Sequence, residues 1–276
     1  MIELAPYHKI GLPVENPVLL AAGTIGYGEA TPHGLDVGRA GAAVVGPVMR
    51  HSSAGGPSPR YASLPGGMVL ASGGQNRGVG AVVKRFARLW PALGCPVIVQ
   101  IADTQPELLS AVAKRMHAVD GVSGIEVLLP GYADADLTRQ LLRVAVRAGD
   151  WPVWAKLPLM RAVELAPAAV DAGAVGLVVG RPLMGAASRA AGDAPAEPVR
   201  GDVYGPLSFA PMLDALLRVA ALALPCALMA CGGVHTIEQA RQALQAGAHA
   251  VQVDSAVWVE PGRPLRLAQA LAESPV

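Results

Sequence analysis

Charge is scarce in this chain: Asp, Glu, Lys and Arg make up 16% of its 276 residues, against about a quarter in an average soluble domain. Aromatics are scarcer still at 4%. The 52% of hydrophobic residues is therefore carried by Ala, Val and Leu, which excludes a disordered chain and supplies a large aliphatic core. Cysteine is sparse too. Cys95, Cys226 and Cys231 lie in or beside apolar stretches without CxxC spacing, so no zinc or dithiol motif and no metal site is expected. Free buried thiols fit a reducing cytoplasm. There is no basic run, and 22 Lys plus Arg against 21 Asp plus Glu leave a net charge of +1, so nucleic acid is not an expected partner. No stretch approaches the roughly 18 apolar residues of a membrane span. The first residues, MIELAPYHKIG, lack the basic-then-apolar order of a signal peptide. The expectation is a soluble cytoplasmic protein with no membrane partner.

What the chain does have is alternation. Short apolar runs at about 17–22, 42–48, 96–101, 124–129, 152–157, 175–179, 226–230 and 249–253 read as strands. Helical patterns lie near 33–40, 78–93, 105–119, 134–148, 161–172, 208–223, 236–246 and 263–273. In 105–119 a stripe of Leu108, Leu109, Val112, Ala113 and Met116 marks the buried face, and Thr236 is a good N-cap for the helix carrying Ala240, Leu244 and Ala248. Continuous apolar strands imply burial on both faces. Eight βα units predict a (β/α)8 TIM barrel in a single domain over 1–276, with an open doubly wound sheet as the alternative. Two Gly/Ser/Pro-rich insertions, 49–77 and 180–205, follow strands and would sit at the end where such barrels build their sites.

The most informative stretch is CGGVHTIEQA at 231–240. Gly232 and Gly233 after the seventh strand let backbone approach an anion without a Cβ in the way. Ser255, ending the eighth strand, offers a hydroxyl and an amide to the same spot, and Gly201 and Gly205 add further close approach. Together they predict a phosphate site, against the plainer reading of a tight turn. Lys156 stands inside the apolar run VWAKLPL, where an ammonium is costly unless paired; the plainer reading is a lysine snorkelling from a strand end.

The stretches NPVLLAAGTIGYGE (16–29), GGQN (73–76), AKLP (155–158), GDVYGP (201–206) and CGGVHTIEQARQALQAGAHAVQVDSA (231–256) resemble the dihydroorotate dehydrogenase family, particularly its soluble class 1B branch, over nearly the whole chain. The resemblance implies an FMN-dependent barrel that oxidises dihydroorotate to orotate in pyrimidine synthesis, a homodimer, and an electron-transfer flavoprotein subunit as partner. It places the FMN phosphate over Gly232, Gly233 and Ser255, with Gly205 nearby. Ala22 and Gly23 fall on the flavin-lining turn, and Lys156 on the lysine that reaches the flavin ring.

The departures from that pattern bear on chemistry. Gly46-Pro47-Val48 replaces a Thr-Lys-Thr, Leu70 replaces a substrate asparagine, and Leu128-Leu129-Pro130-Gly131-Tyr132 replaces the segment that carries the asparagine and the Ser or Cys base. Gly180-Arg181 replaces an Asn-Thr, and Asp254-Ser255 a Gly-Thr. Unpaired polar groups on a buried substrate cost about 1–3 kcal/mol each, and a hydride leaves for flavin only when a base takes the neighbouring proton. Replacement polar groups are Arg50, His51, Arg60, Tyr132, Arg181 and Tyr204. Of these, Tyr132 or His51 would move a proton, and Arg181 would hold an anionic small-molecule substrate. Asp254 beside a phosphate repels it unless its side chain turns away. Three readings follow: an FMN oxidoreductase with a changed substrate, a catalytically degenerate barrel serving as a binding or partner subunit, and a barrel for some other phosphorylated ligand.

Overall fold

The computed structural model describes residues 1–188 and 197–274. A short antiparallel ribbon, β1 (Ile2–Glu3) with β2 (Pro13–Val14), opens the chain. Then come β3 (Val18–Leu20), β4 (Ala43–Val48) and a hairpin of β5 (Tyr61–Leu64) and β6 (Gly67–Leu70). Helices and strands alternate from there: α1 (Val79–Arg85), β7 (Val97–Ile101), α2 (Pro106–His117), β8 (Val122–Leu128), α3 (Ala135–Val146), β9 (Val153–Pro158) and α4 (Ala162–Asp171). β10 (Gly176–Arg181) leads into β11 (Met184–Ala187) and β12 (Val199–Tyr204). The last elements are α5 (Phe209–Ala220), β13 (Ala227–Cys231), α6 (Ile237–Gln245), β14 (Ala250–Val253), α7 (Ser255–Val259) and α8 (Arg263–Glu273).

Eight parallel strands close in the order β10-β13-β14-β3-β4-β7-β8-β9. Each coincides with an expected apolar run to within about two residues, and closure rules out the open sheet. The chain is a (β/α)8 TIM barrel. Every residue of β7, β9 and β13 is buried, as continuous apolar strands require. Side chains alternate across each strand. Leu20, Val45, Val99, Val127, Leu157, Val179 and Val251 face the helices in the main core. Their neighbours Leu19, Val44, Ile98, Trp154, Val178, Met229 and Ala250 fill the lower barrel, where Leu4, Ala5, Leu12 and Val14 plug the end. Trp154 anchors this plug, its Nε1 donating to the Leu4 carbonyl at 3.0 Å. Gly124 and Gly176 make room for its ring, since a Cβ on either would stand 2.3 or 2.4 Å from it.

Three expectations need correction. The helix at 33–40 is only a 3-10 turn at Val37–Arg39; Pro32 and Gly34, the latter at φ +89°, interrupt the pattern. The helix at 78–93 stops at Arg85 and continues as a 3-10 turn over Ala87–Ala92, where Pro91 supplies no amide hydrogen. The insertions at 49–77 and 180–205, read as loops, instead carry an antiparallel sheet in the order β11-β12-β6-β5. Its register sets Asp202 opposite Leu70 and Tyr204 opposite Met68, and it closes on a small core of Ala62, Val69 and Val199. Residues 189–196 of the second insertion lie outside the described residues. Thr236 caps α6 as expected, in a full capping box with Gln239.

The fit of Trp154 gives a test. Gly176→Ala should lower stability by about 1–3 kcal/mol through overpacking, read as a fall in urea midpoint; an unchanged midpoint would show that the indole is not confined as described.

Candidate functional site

The sheet formed by the insertions stands over the carboxyl end of the barrel, and below it lies a layer of polar side chains. Two residues above each lower-barrel side chain the same face recurs, which turns Gln100, Glu126, Lys156, Cys231 and Gln252 inward. The Lys156 ammonium donates to Gln252 Oε1 at 2.9 Å and lies 3.6 Å from Glu126 Oε1. Gln100 and Gln252 each donate from Nε2 to one oxygen of Glu126, both at 2.6 Å. None of these four side chains belongs to a residue more than 4% exposed. Lys156 is thus not snorkelling: its charge is met by a carboxylate from β8, and it lines the cavity above. Burial opposes that charge, but Cys231, which contributes charge only once ionised, and the Glu126 carboxylate outweigh burial and hold the lysine pKa above its ordinary value. Burial pushes the Cys231 thiol up to about 12, so it is neutral near pH 7. Glu126 is the group that balances the ammonium.

Above this layer the free space is a cavity of about 70 Å³, lined among others by Ala21, Ala22, Leu128, Arg181, Tyr204 and Asp254. Arg181 reaches it as expected, donating to the Leu129 carbonyl at 2.6 Å. Burial raises the pKa of Asp202, which Arg181 partly offsets. Burial, with Asp202, Asp254 and Cys231 nearby, raises that of Tyr204, leaving a neutral phenol. The Tyr204 ring leans on Trp258, with centroids 5.1 Å apart. His51 and Tyr132 are exposed and do not line this space, so neither is placed to move a proton there. Arg60 is committed to its own loop through the Gly56 and Ala54 carbonyls and Gln75. The Arg50 amide donates to Asp103 at 2.9 Å.

At the rim, Asp254 Oδ1 accepts from both the amide and the hydroxyl of Ser255, the latter at 2.9 Å. His235 Nε2 lies 3.1 Å from the same hydroxyl. The Asp254 side chain therefore does not turn away; it occupies the donors expected to serve a phosphate. Gly233, at φ +70°, packs on the start of α5, where a Cβ would stand 2.3 Å from the Phe209 nitrogen. Gly205 likewise abuts Gly66 at the hairpin turn. Gly232, at φ +124°, has open space beside it, with Met212 nearest at 3.9 Å. A Cβ on Gly23 would meet nothing within 4 Å.

Sequence reasoning missed Glu126, Gln100 and Gln252. Their signal was present: each is the one charged or amide side chain in an otherwise mostly apolar strand. Among the described residues no group of His, Cys, Asp or Glu has the geometry of a metal site, and no helix is long and apolar enough to cross a membrane.

The family model for dihydroorotate dehydrogenase matches residues 7–274. The catalytic subunit of dihydroorotate dehydrogenase B (NAD(+)) from Desulforudis audaxviator is 32% identical over 284 residues, covering 95% of this chain and 90% of the relative. The same subunit from Citrifermentans bemidjiense is 31% identical over 278 residues, with the same coverage. The chain belongs to the dihydroorotate dehydrogenase family. It is a dihydroorotate dehydrogenase-like oxidoreductase, of a family in which FMN is typical. In fold it is similar to the crystal structure of DHODH in complex with ferulenol from Eimeria tenella, with a TM-score of 0.78, 18% identity, and coverage of 93% and 80% of the two chains.

If Lys156 and Glu126 neutralise each other, removing one partner is worse than removing both. Lys156→Met should cost about 3–5 kcal/mol by stranding a buried carboxylate, and Lys156→Met with Glu126→Gln should recover most of that loss in chemical denaturation. Additive losses would contradict the pairing.

Proposed function

We propose that this oxidoreductase-family chain no longer takes dihydroorotate, and that its barrel serves as a subunit beside an electron-transfer partner. The observation that carries this is the narrow mouth, in which the inward cation lies 3.6 Å from a carboxylate of its own chain beneath a cavity of about 70 Å³. Small-molecule sites run to roughly 300 Å³ or more. Leu128 lines the mouth where the family pattern has an asparagine, and Leu129, Pro130 and Gly131 offer no base. Of the mouth's titratable groups, Cys231 and Tyr204 stay protonated and Asp254 accepts from Ser255, while the Asp202 carboxylate lines the cavity beside Arg181.

The residues present do not fit FMN either. The Ser255 donors are taken by Asp254 and Lys156 by Glu126 and Gln252, so no redox step is routed through flavin here. Arg181 remains the group suited to a small anion, beside a cavity of about 540 Å³ that it lines with Asp202, Leu70 and Ser72.

Support for a partner comes from the same end of the molecule. Tyr132, Met160, Met184, Leu207 and Val259 are each more than two-thirds exposed, and all lie in segments that follow barrel strands. Such apolar exposure marks contact surface when it gathers at one end. The relatives are themselves named as subunits.

The test is an assay of orotate formation, with the chain alone and mixed with an electron-transfer subunit of the dihydroorotate dehydrogenase B type. The mixture should co-elute on size exclusion yet form no orotate above the rate of that subunit alone, and Val259→Asp should weaken co-elution without lowering stability. Orotate formation that depends on this chain would overturn the reading.

A further inference from the structure

We propose that the flavin seat of this barrel has been filled from within by two side chains: the Asp254 carboxylate stands where a phosphate would bind, and the Tyr204 ring closes the slot between phosphate and mouth. The inference deepens the functional reading above and rests on it. A carboxylate and a phosphate use the same kind of donor. Ser255 offers two, its amide and its hydroxyl, and Asp254 Oδ1 takes both. His235 Nε2, 3.1 Å from that hydroxyl, completes a cluster that would serve an external anion if Asp254 were gone. With Asp254 present, an incoming phosphate meets a like charge on donors already in use.

The second side chain divides one space into two. Tyr204 is a wall of the mouth cavity of about 70 Å³, which reaches down to Lys156, and also of a rim cavity of about 410 Å³. The rim cavity is lined on its polar side by His235 and Ser255 and on its apolar side by Met68, Pro206 and Trp258. The rim cavity alone has the size of a small-molecule site, and the mouth cavity does not. With Tyr204 between them, neither end reaches the other. Its position is fixed by the sheet register opposite Met68 and by the contact with Trp258, so the barrier belongs to the fold.

The experiment is a titration of FMN and of riboflavin, which lacks the phosphate, into the wild-type protein and the variants Asp254→Gly, Tyr204→Ala and the double variant. Flavin fluorescence quenching and thermal shift are the readouts. The wild type should quench neither flavin. The double variant should bind FMN at least about tenfold more tightly than the wild type and show a ligand-dependent rise in Tm. Asp254→Gly should favour FMN over riboflavin, whereas Tyr204→Ala should help both alike. One-to-one FMN binding by the wild type, equal gains for both flavins from Asp254→Gly, or a folded double variant blind to FMN would each overturn the proposal. Should the glycine variant not fold, Asp254→Asn removes the charge alone: a gain for FMN without one for riboflavin supports the proposal, and no difference overturns it. Flavin binding by the wild type without orotate formation would sink this inference and leave the loss of dihydroorotate standing, whereas orotate formation would sink the functional reading.

Discussion

A single buried ion pair organises the upper half of this barrel. Lys156 from β9 and Glu126 from β8 face each other on neighbouring strands, and Gln100 and Gln252 occupy the remaining carboxylate oxygens and the ammonium. A charge in such surroundings persists only when partners and hydrogen bonds are complete. Here the carboxylate accepts from both glutamines, and the ammonium donates to Gln252 with Glu126 3.6 Å away, so the charge is paired within the chain.

The same logic runs outward to the rim. Asp254 gives the Ser255 amide and hydroxyl an internal acceptor, and Tyr204 brings a ring into the space above Cys231 and Arg181. Ser255 and Lys156, two groups that a ligand would use, have thus found partners in the chain itself. Stability and ligand binding compete for the same donors, and in this molecule folding has claimed them.

Much of the fold was legible because its determinants are local or periodic. Runs such as PVIVQI and PVWAKL cannot be half-exposed strands, so a parallel sheet under helices followed. Thr236 announced α6 by its own capping chemistry. The sheet from the insertions was not legible, because β11 and β12 are linked across residues 188–198 and β12 pairs with β6 more than a hundred residues earlier. Nothing in a Gly-Ser-Pro composition encodes that pairing. At the site, Lys156 stood out because it is expensive where it lies, but its partner is thirty residues away. Only counting two residues along each strand would have shown Gln100, Glu126 and Gln252 at one level. The double glycine carries two demands that sequence does not separate: Gly233 is required by close packing on α5, whereas Gly232 has open space beside it, and backbone contact demands a missing Cβ as strictly as a phosphate does.

The account stands on the mouth being filled by the chain. A crystal structure of the protein grown in the presence of FMN examines that directly. The account predicts Asp254 on the Ser255 amide, Lys156 on Glu126, and no flavin density between Ala22 and Tyr204. An isoalloxazine ring lying over Ala22, with Lys156 drawn up to it and a phosphate on Ser255, would contradict it.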